Sequence, residues 1–262
     1  MALELPSASA FDFLVRVANA YASLIESPHA HLETGLGGKL FYVGEIDDAG
    51  RALLVAANVA GAATLATTAD RAAQKQVLRD GVADFVVNNL DEALRILKNQ
   101  LRKRETVATC VALPPSETER EMAGRGVAPD LLRLDVPIAP HHEALRFHES
   151  EETEFDLGKI PAVVTWRVES ALPKDLAKLD EIALACLDAD DWKSRRWLRL
   201  SPRYLGRMAR GLRLLDCNRE FAACFIDRVR QSVEGGEIAF AFEILSYFRG
   251  VRDEFRHAPT KP

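Results

Sequence analysis

The sequence has few cysteines and no C-x-x-C pair. Its four cysteines are Cys110, Cys186, Cys217 and Cys224 in a chain of 262 residues. Isolated cysteines in a chain of this length are typical of reduced intracellular proteins, so we expect neither a disulfide framework nor a structural zinc site. No apolar run approaches the roughly 20 residues that span a bilayer, so we expect no membrane partner. The N-terminus lacks a basic start followed by an apolar stretch, which predicts no secretory signal and a cytoplasmic location.

Glycine is also scarce where a phosphate-binding loop would require it. An apolar run, Leu40-Phe41-Tyr42-Val43, is followed by Glu45-Ile46-Asp47-Asp48-Ala49-Gly50 and then by a helical pattern. A dinucleotide-binding fold places its glycines and a helix N-terminus against a pyrophosphate at this strand-turn-helix step. Three carboxylates and one glycine in that turn are electrostatically unsuited to a negatively charged ligand.

The remainder of the first half alternates short apolar strands with helical patterns. We predict strands at 40–43, 63–67, 84–87, 107–113 and 131–136, with helices at 11–25, 49–60, 70–79, 90–104 and 116–123. Apolar strands that alternate with helices indicate a parallel sheet covered on both faces. The predicted fold class is therefore α/β, with a doubly wound, mostly parallel Rossmann-like sheet.

The pattern changes after Pro137. An acidic run at 149–156 is followed by one more predicted strand at 162–168, and the rest predicts helices at 173–187, 192–200, 203–215, 219–233 and 238–248. We therefore divide the chain into an N-terminal helix and loop packed on the core (1–37), a Rossmann-like domain (38–160), and a C-terminal region of one strand followed mostly by helices (161–262).

Charge supports this division. The net charge is −5, but residues 161–262 hold 18 Lys and Arg against 15 Asp and Glu, while the first 160 residues hold 16 against 24. The first part is thus acidic and the second is basic. A negative total argues against a dedicated nucleic-acid binder.

Four segments resemble the central NAD-binding domain of the urocanate hydratase (urocanase) family. They keep the family's spacing over about 90 residues and are Gly38-Lys39-Leu40-Phe41, Val59-Ala60-Gly61-Ala62, Leu90-Asp91-Glu92-Ala93-Leu94 and Gly124-Arg125-Gly126-Val127-Ala128-Pro129-Asp130. The resemblance implies a Rossmann-like fold and, in true members, an NAD that acts as an electrophile toward an imidazole-bearing substrate. It does not extend to the family's cysteine-bearing catalytic segment, so none of the four cysteines takes a role from it.

The resemblance fails at the cofactor positions. The family's glycine-rich loop falls on 45–53, where only Gly50 and Ala52 match, and its ribose-binding acid falls on Thr68. Its Gly-Asn after the fourth strand falls on Leu113-Pro114, and its last NAD-contacting loop falls on 135–139 with no residue retained. Four losses at four strand ends predict that NAD is not bound and that no cofactor is used.

A rebuilt pocket at the same sheet edge is one interpretation of the residues that replace the motif, because ligands of open parallel sheets bind beyond the carboxyl ends of the strands. An acidic pocket would suit an amine, another cation or a hard metal such as magnesium, although we assign no metal ligand. In the other interpretation these side chains cap helices: Asp47 or Asp48 the helix at 49, and Asn88 or Asn89 the helix at 90. The pocket candidates are Glu45, Asp47, Asp48, Thr68, Asn88, Asn89, Asp135 and His141, with His142 beside it.

A second candidate site is an arginine cluster in the basic region. No acidic residue lies between Asp191 and Asp216, and Arg203, Arg207 and Arg210 are spaced to share one helix face. Such a face could bind an anion, or it could pair with the acidic region or with a subunit.

These observations lead to two functional hypotheses. In the first, the protein is urocanase-like but has lost NAD binding and urocanase activity, and it acts as a small-molecule-binding, interaction or accessory protein that forms a homo-oligomer. In the second, it is a lyase or hydratase that uses the acidic strand-end pocket with another ligand, metal or cofactor. Catalytic residues are not assigned.

Overall fold

The computed structural model describes residues 8–137, 144–147, 162–169, 172–205, 209, 211–248 and 251–258. The chain divides into two units. One contains residues 16–151 and 200–208, and the other contains residues 1–15, 152–199 and 209–262. Within the described ranges, no helix combines the length and the apolar character needed to cross a membrane.

The first unit contains a six-stranded sheet in which every described strand pair is parallel. Its strand order is β3-β4-β2-β1-β5-β6. The elements in chain order are α1 (Ala8–Ile25), β1 (Leu40–Glu45), α2 (Asp48–Ala60), β2 (Ala63–Thr67), α3 (Arg71–Asp80), β3 (Phe85–Val87), α4 (Leu90–Lys103), β4 (Val107–Val111), α5 (Pro115–Gly124), β5 (Leu131–Arg133) and β6 (Leu145–Phe147). The first residues of α1, up to residue 15, belong to the other unit.

Burial explains why these strands could be predicted from the sequence. All five residues of β2 and all five of β4 are buried, as expected for strands covered on both faces. Tyr42, Leu65 and Leu90 belong to one core cluster of β-strand and helix side chains. The α/β, Rossmann-like fold class predicted from the sequence is confirmed.

The sheet topology locates the binding edge of such a fold. The chain runs from β1 to β2 on one side and later returns to place β5 on the other side of β1. This reversal of strand order between β1 and β5 is the topological switch point, where ligands of open α/β sheets bind.

The second unit contains an antiparallel sheet of four strands in the order β10-β9-β7-β8. Its elements are β7 (Ala162–Val168), α6 (Pro173–Cys186), α7 (Trp192–Tyr204, whose last residues belong to the first unit), β8 (Leu212–Cys217), α8 (Arg219–Glu234), β9 (Phe242–Phe248) and β10 (Val251–His257). The helices α6 and α8 pack on β7, where the rings of Trp166 and Phe225 lie 5.0 Å apart between centroids. The Trp166 indole donates to Asp180, which also accepts from Arg213.

The prediction of a mostly helical C-terminal region is wrong in two stretches. Where we expected a helix at 203–215, α7 ends at Tyr204 and β8 begins at Leu212; where we expected a helix at 238–248, β9 forms. The leucines of β8 have helical propensity, but pairing with β7 decides their conformation. Strand β10, which was not predicted, pairs antiparallel with β9, and Val251 lies opposite Phe248.

One face of this antiparallel sheet carries a charge cluster centred on a buried glutamate. Glu243 in β9 is 2% exposed and accepts from Arg167 Nε of β7 at 2.6 Å, while Arg256 Nη2 of β10 lies 2.6 Å from its other oxygen. Arg256 also contacts Glu254. We call Arg167, Glu243, Arg256 and Glu254 the Glu243 cluster.

Candidate functional site

At the switch point, the turn between β1 and α2 ends in a capping carboxylate. Asp47 has the extended backbone of an N-cap residue, and its Oδ1 accepts from Gly50 N at 2.7 Å. A side-chain acceptor at this position satisfies one of the free amides at the start of the helix, and its charge complements the helix dipole. The Asp47 carboxylate therefore lies at the helix N-terminus, where a Rossmann fold receives phosphate.

Gly50 is needed at this turn because the backbone is closely packed. A Cβ built on Gly50 would lie 2.2 Å from the carbonyl oxygen of Glu45 and 3.2 Å from Arg133 Nη1. The one glycine that the loop retains thus allows contact with the chain's own backbone.

Arg133, at the end of β5, joins the residues of this edge. Its guanidinium donates to both Asp47 oxygens at 2.9 and 3.0 Å, to both Asp135 oxygens at 2.5 and 2.6 Å, and to the Glu45 carbonyl at 3.1 Å. The Arg133 side chain is 12% exposed, whereas those of Asp47 and Asp135 are 48% and 62% exposed. We call Arg133, Asp47, Asp135 and the Glu45 carbonyl the Arg133 cluster.

The electrostatics of this cluster follow from its hydrogen bonds. The bonds from Arg133 hold the pKa of Asp135 below its ordinary value. The same contacts raise the pKa of Arg133, with Asp135 contributing more than Asp47. Arg133 and Asp135 therefore both favour their charged forms, and the Asp135 and Asp47 carboxylates share one guanidinium.

Thr68, the position of the family's ribose-binding acid, faces the protein interior. It is 1% exposed, and its hydroxyl accepts from Asp70 N at 3.3 Å while its carbonyl accepts from Gln74 Nε2 at 2.9 Å. Its neighbour Thr67 bonds the Thr118 hydroxyl at 2.9 Å. Thr68 thus supports the start of α3 and does not join the other candidates.

Asn88 and Asn89 lie on β3's side of the sheet, separated from β1 by β4 and β2. Asn89 caps α4 by accepting from Glu92 N at 2.9 Å, and the Glu92 carboxylate accepts in return from Asn88 N at 3.1 Å. This reciprocal pattern resembles a capping box, with the return bond coming from the residue before the cap. At the end of β4, Pro114 occupies the N-cap position of α5 without a side-chain cap bond.

The remaining acidic candidates are spread over the edge. Asp48 is exposed in the first turn of α2, and Glu45 is half-buried at the end of β1. The charge of Glu45 adds to burial in raising the pKa of Cys110 to about 12. His141 and His142 lie outside the described residues.

Sequence reasoning missed two groups beside the cluster. The hydroxyl of Tyr42, a fully buried residue of β1, donates to Glu119 of α5 at 3.3 Å. Burial is the main cause that raises the pKa of Glu119, and nearby Asp135 adds to it. Burial also raises the pKa of Tyr42. Arg133 was missed as well, and its place at the end of β5 was the only sequence signal for it.

The single helix predicted at 203–215, on which Arg203, Arg207 and Arg210 would share a face, is not formed, because β8 begins at Leu212. Arg203 lies in α7 with its guanidinium 5.2 Å from the centre of the Tyr204 ring, but the helix ends at that tyrosine. Arg207 and Arg210 lie outside the described residues. Arg195 donates to the carbonyls of Leu184 and Leu187, and Arg213 pairs with Asp180, so these two arginines have structural partners.

The switch-point residues do not fit NAD. The α2 N-terminus already holds the Asp47 carboxylate, and Gly50 packs against the Glu45 carbonyl. Thr68 is buried where a ribose-binding acid is required. Among the described residues, no three His, Cys, Asp or Glu side chains come together in a way that could hold a metal ion.

Comparison with known families agrees with the fold. Residues 17–143 match the family model of the urocanase Rossmann-like domain. This match covers just under half of the chain and includes the whole switch-point edge described above.

Proposed function

We propose that this protein, whose residues 17–143 match the urocanase Rossmann-like domain, has lost NAD binding and urocanase activity. On that scaffold it serves as a small-molecule-binding or interaction protein. The position of Asp47 carries the proposal. Its carboxylate accepts from Gly50 N and from Arg133, the contacts that a bound phosphate would make. An internal anion thus takes the place of the external one.

The other strand ends support the same proposal. Pro114 has no amide hydrogen to offer a ligand, and the hydroxyl of buried Thr68 bonds the backbone of α3. Charge adds to this, because Glu45, Asp47, Asp48 and Asp135 at one edge repel a pyrophosphate. We also propose that the protein is cytoplasmic, which its four free cysteines support. We further propose that it forms a homo-oligomer.

The direct test is to search for bound NAD and then to titrate it. We expect mass spectrometry to detect no NAD released from the denatured protein. Calorimetry with NAD at millimolar concentration should give no saturable heat. Urocanate consumption, followed by its ultraviolet absorbance with added NAD, should be absent. Co-purified NAD or a saturable binding curve would overturn the proposal. Light scattering of the same sample tests the oligomeric state, and a monomer would contradict that part.

A sharper test removes the Asp47 carboxylate from the start of α2. Asp47→Ser keeps an N-cap hydroxyl but removes the carboxylate, leaving the helix N-terminus and Arg133 to face solvent. We expect inorganic phosphate, at constant ionic strength, to raise the melting temperature of this variant more than that of the wild type. Asp48→Ser is the matched control and should respond like the wild type. Equal phosphate effects in all three proteins would contradict the internal-anion argument.

A lyase or hydratase at the same edge is the second candidate, and Glu119 is the observation that favours it. A carboxyl of raised pKa, 3.3 Å from the hydroxyl of buried Tyr42, has the properties of a general acid or base. A screen of amine and imidazole ligands by thermal shift tests this candidate. A shift that is present in the wild type and lost in Glu119→Gln would support it, and no shift with any ligand would contradict it.

A further inference from the structure

Two free thiols meet between the helices of the second unit, away from the switch point. Cys186 is the last residue of α6, and Cys224 lies in the second turn of α8. Their Sγ atoms are 3.0 Å apart, and each residue is partly exposed to solvent. The two cysteines are 38 positions apart in the chain, so only the packing of α6 against α8 brings them together.

We propose that Cys186 and Cys224 form a reversible disulfide, which makes this pair a redox modification site. In a disulfide the two sulfur atoms lie about 2.05 Å apart, so the thiols need to approach by only about 1 Å. The bond would close a loop that contains α7 and β8 and would tie α6 to α8. This proposal is independent of the fate of the NAD site.

The chemistry balances with a small disulfide such as oxidised glutathione as the oxidant. One protein thiol loses its proton, and its thiolate attacks a glutathione sulfur; the first glutathione leaves as a thiolate, which takes up a proton. The second protein thiol, once deprotonated, attacks the protein sulfur of the mixed disulfide and displaces the second glutathione. Two protein thiols are oxidised to one disulfide, and one oxidised glutathione is reduced to two molecules of glutathione.

The surroundings determine how fast the bond forms. Burial, with the neighbouring Cys224 thiol, raises the pKa of Cys186 to about 12, and the charge of Arg228 opposes this rise. Because the thiolate is the reactive form, formation near neutral pH should be slow and should speed up as the pH rises. The pair therefore suits sustained oxidation better than a rapid response.

The site adjoins a polar groove of about 500 Å³ whose lining includes Ala185 and Arg228, the neighbours of the two thiols along α6 and α8. A disulfide would fix the spacing of the two helices that form this groove. Cys217, on β8, offers a matched comparison, because it is also free and burial raises its pKa to about 12.

The experiment oxidises the full chain with glutathione disulfide, alkylates the remaining thiols and maps the peptides by mass spectrometry without reduction. We expect one cross-linked species that joins the peptides of Cys186 and Cys224, with Cys110 and Cys217 alkylated. The oxidised protein should melt roughly 5–15 °C higher than the reduced protein, as expected for a loop of this length. Dithiothreitol should reverse both changes.

Variants separate the outcomes. The shift and the cross-link should be absent from Cys186→Ser and from Cys224→Ser, and both should persist in Cys217→Ser. Peptide mapping still decides the question where a serine variant folds poorly, since it uses the wild-type chain. Alkylation of both thiols after prolonged oxidation, a cross-link through Cys217, a bond between two chains, or a mixed disulfide that does not resolve would each overturn the proposal.

Discussion

In the parallel sheet Arg133 lies between two aspartates, whereas in the antiparallel sheet Glu243 lies between two arginines. The central group is the more buried one in each case: the Arg133 side chain is 12% exposed and that of Glu243 is 2% exposed. The partners differ, because Asp47 and Asp135 are largely in solvent while Arg167 is itself buried. An arginine tolerates such a position well, since its five donors can all be used and its charge is weakly hydrated.

This difference indicates what each cluster contributes. The Glu243 cluster ties three strands together around a desolvated charge, so its integrity concerns the stability of the second unit. The Arg133 cluster joins the ends of β1 and β5 around exposed carboxylates, so its loss should change the switch point more than the fold. Perturbing each cluster should therefore give effects of different size.

Removing the buried charge should have the largest effect. Glu243→Gln replaces the buried carboxylate between Arg167 and Arg256 with a neutral amide, and we expect the free energy of unfolding to fall by about 3–5 kcal/mol in a urea titration. Glu254→Gln, in the exposed part of the same cluster, is the control and should change stability by less than about 1 kcal/mol. Equal effects of the two substitutions would contradict the difference that we expect between buried Glu243 and exposed Glu254.

Disturbing the backbone under the Arg133 cluster should rank second. In Gly50→Ala the new Cβ would meet the Glu45 carbonyl at 2.2 Å, so the β1–α2 turn must shift, at a cost of about 1–3 kcal/mol. Gly124→Ala, where nothing lies within 4 Å of the added Cβ, should be neutral or slightly stabilising. Urea unfolding measures both, and a Gly50→Ala protein as stable as the wild type would show that the turn adapts freely.

Removing the capping carboxylate should have a smaller effect. Asp47→Ala removes the bond to Gly50 N and two bonds from Arg133, and we expect a loss of about 1 kcal/mol, as for other N-cap substitutions. Asp48→Ala, an exposed first-turn residue without a cap bond, should cost only a few tenths of a kcal/mol. A larger loss of stability in Asp48→Ala than in Asp47→Ala would show that Asp47 is not the residue that caps α2.

The smallest effect should be a pH dependence. The folded state holds the pKa of Asp135 below its ordinary value of 3.8, so its ion pair stabilises the fold above that pH and is lost as the pH falls through the folded pKa. The melting temperature of Asp135→Asn should therefore lie slightly below that of the wild type at pH 6 and approach it below pH 3. A difference that grows on acidification would reverse the assigned direction.

The parallel sheet could be predicted from the sequence because its strands are continuous apolar runs. The bounds of β2 in this sheet, and of β7 in the antiparallel sheet, agree with the predicted 63–67 and 162–168. Strand β6 was missed because it has three residues, only partly buried. β8 and β9 were predicted as helices because their leucines and aromatic residues do not alternate regularly, and pairing with β7 decides their conformation.

The site divides in the same way. Capping by an aspartate before α2 and by an asparagine before α4 could be anticipated, because caps act within three or four residues of the chain. Arg133 could not, since its bond to Asp47 spans 86 positions and depends on β1 and β5 lying side by side. Cap bonds between near neighbours can be predicted from the sequence. The hydrogen-bond partners that meet across the sheet edge depend on the strand order.

The carboxylate at the start of α2 has a thermodynamic consequence. A protein that is stabilised by a dissociable anion gains stability only in proportion to the logarithm of that anion's concentration, and it loses that gain on dilution. Asp47 is attached to the helix that it caps, so it is present at full strength at every protein and metabolite concentration. The start of α2 thereby keeps its capping anion whatever the supply of metabolites.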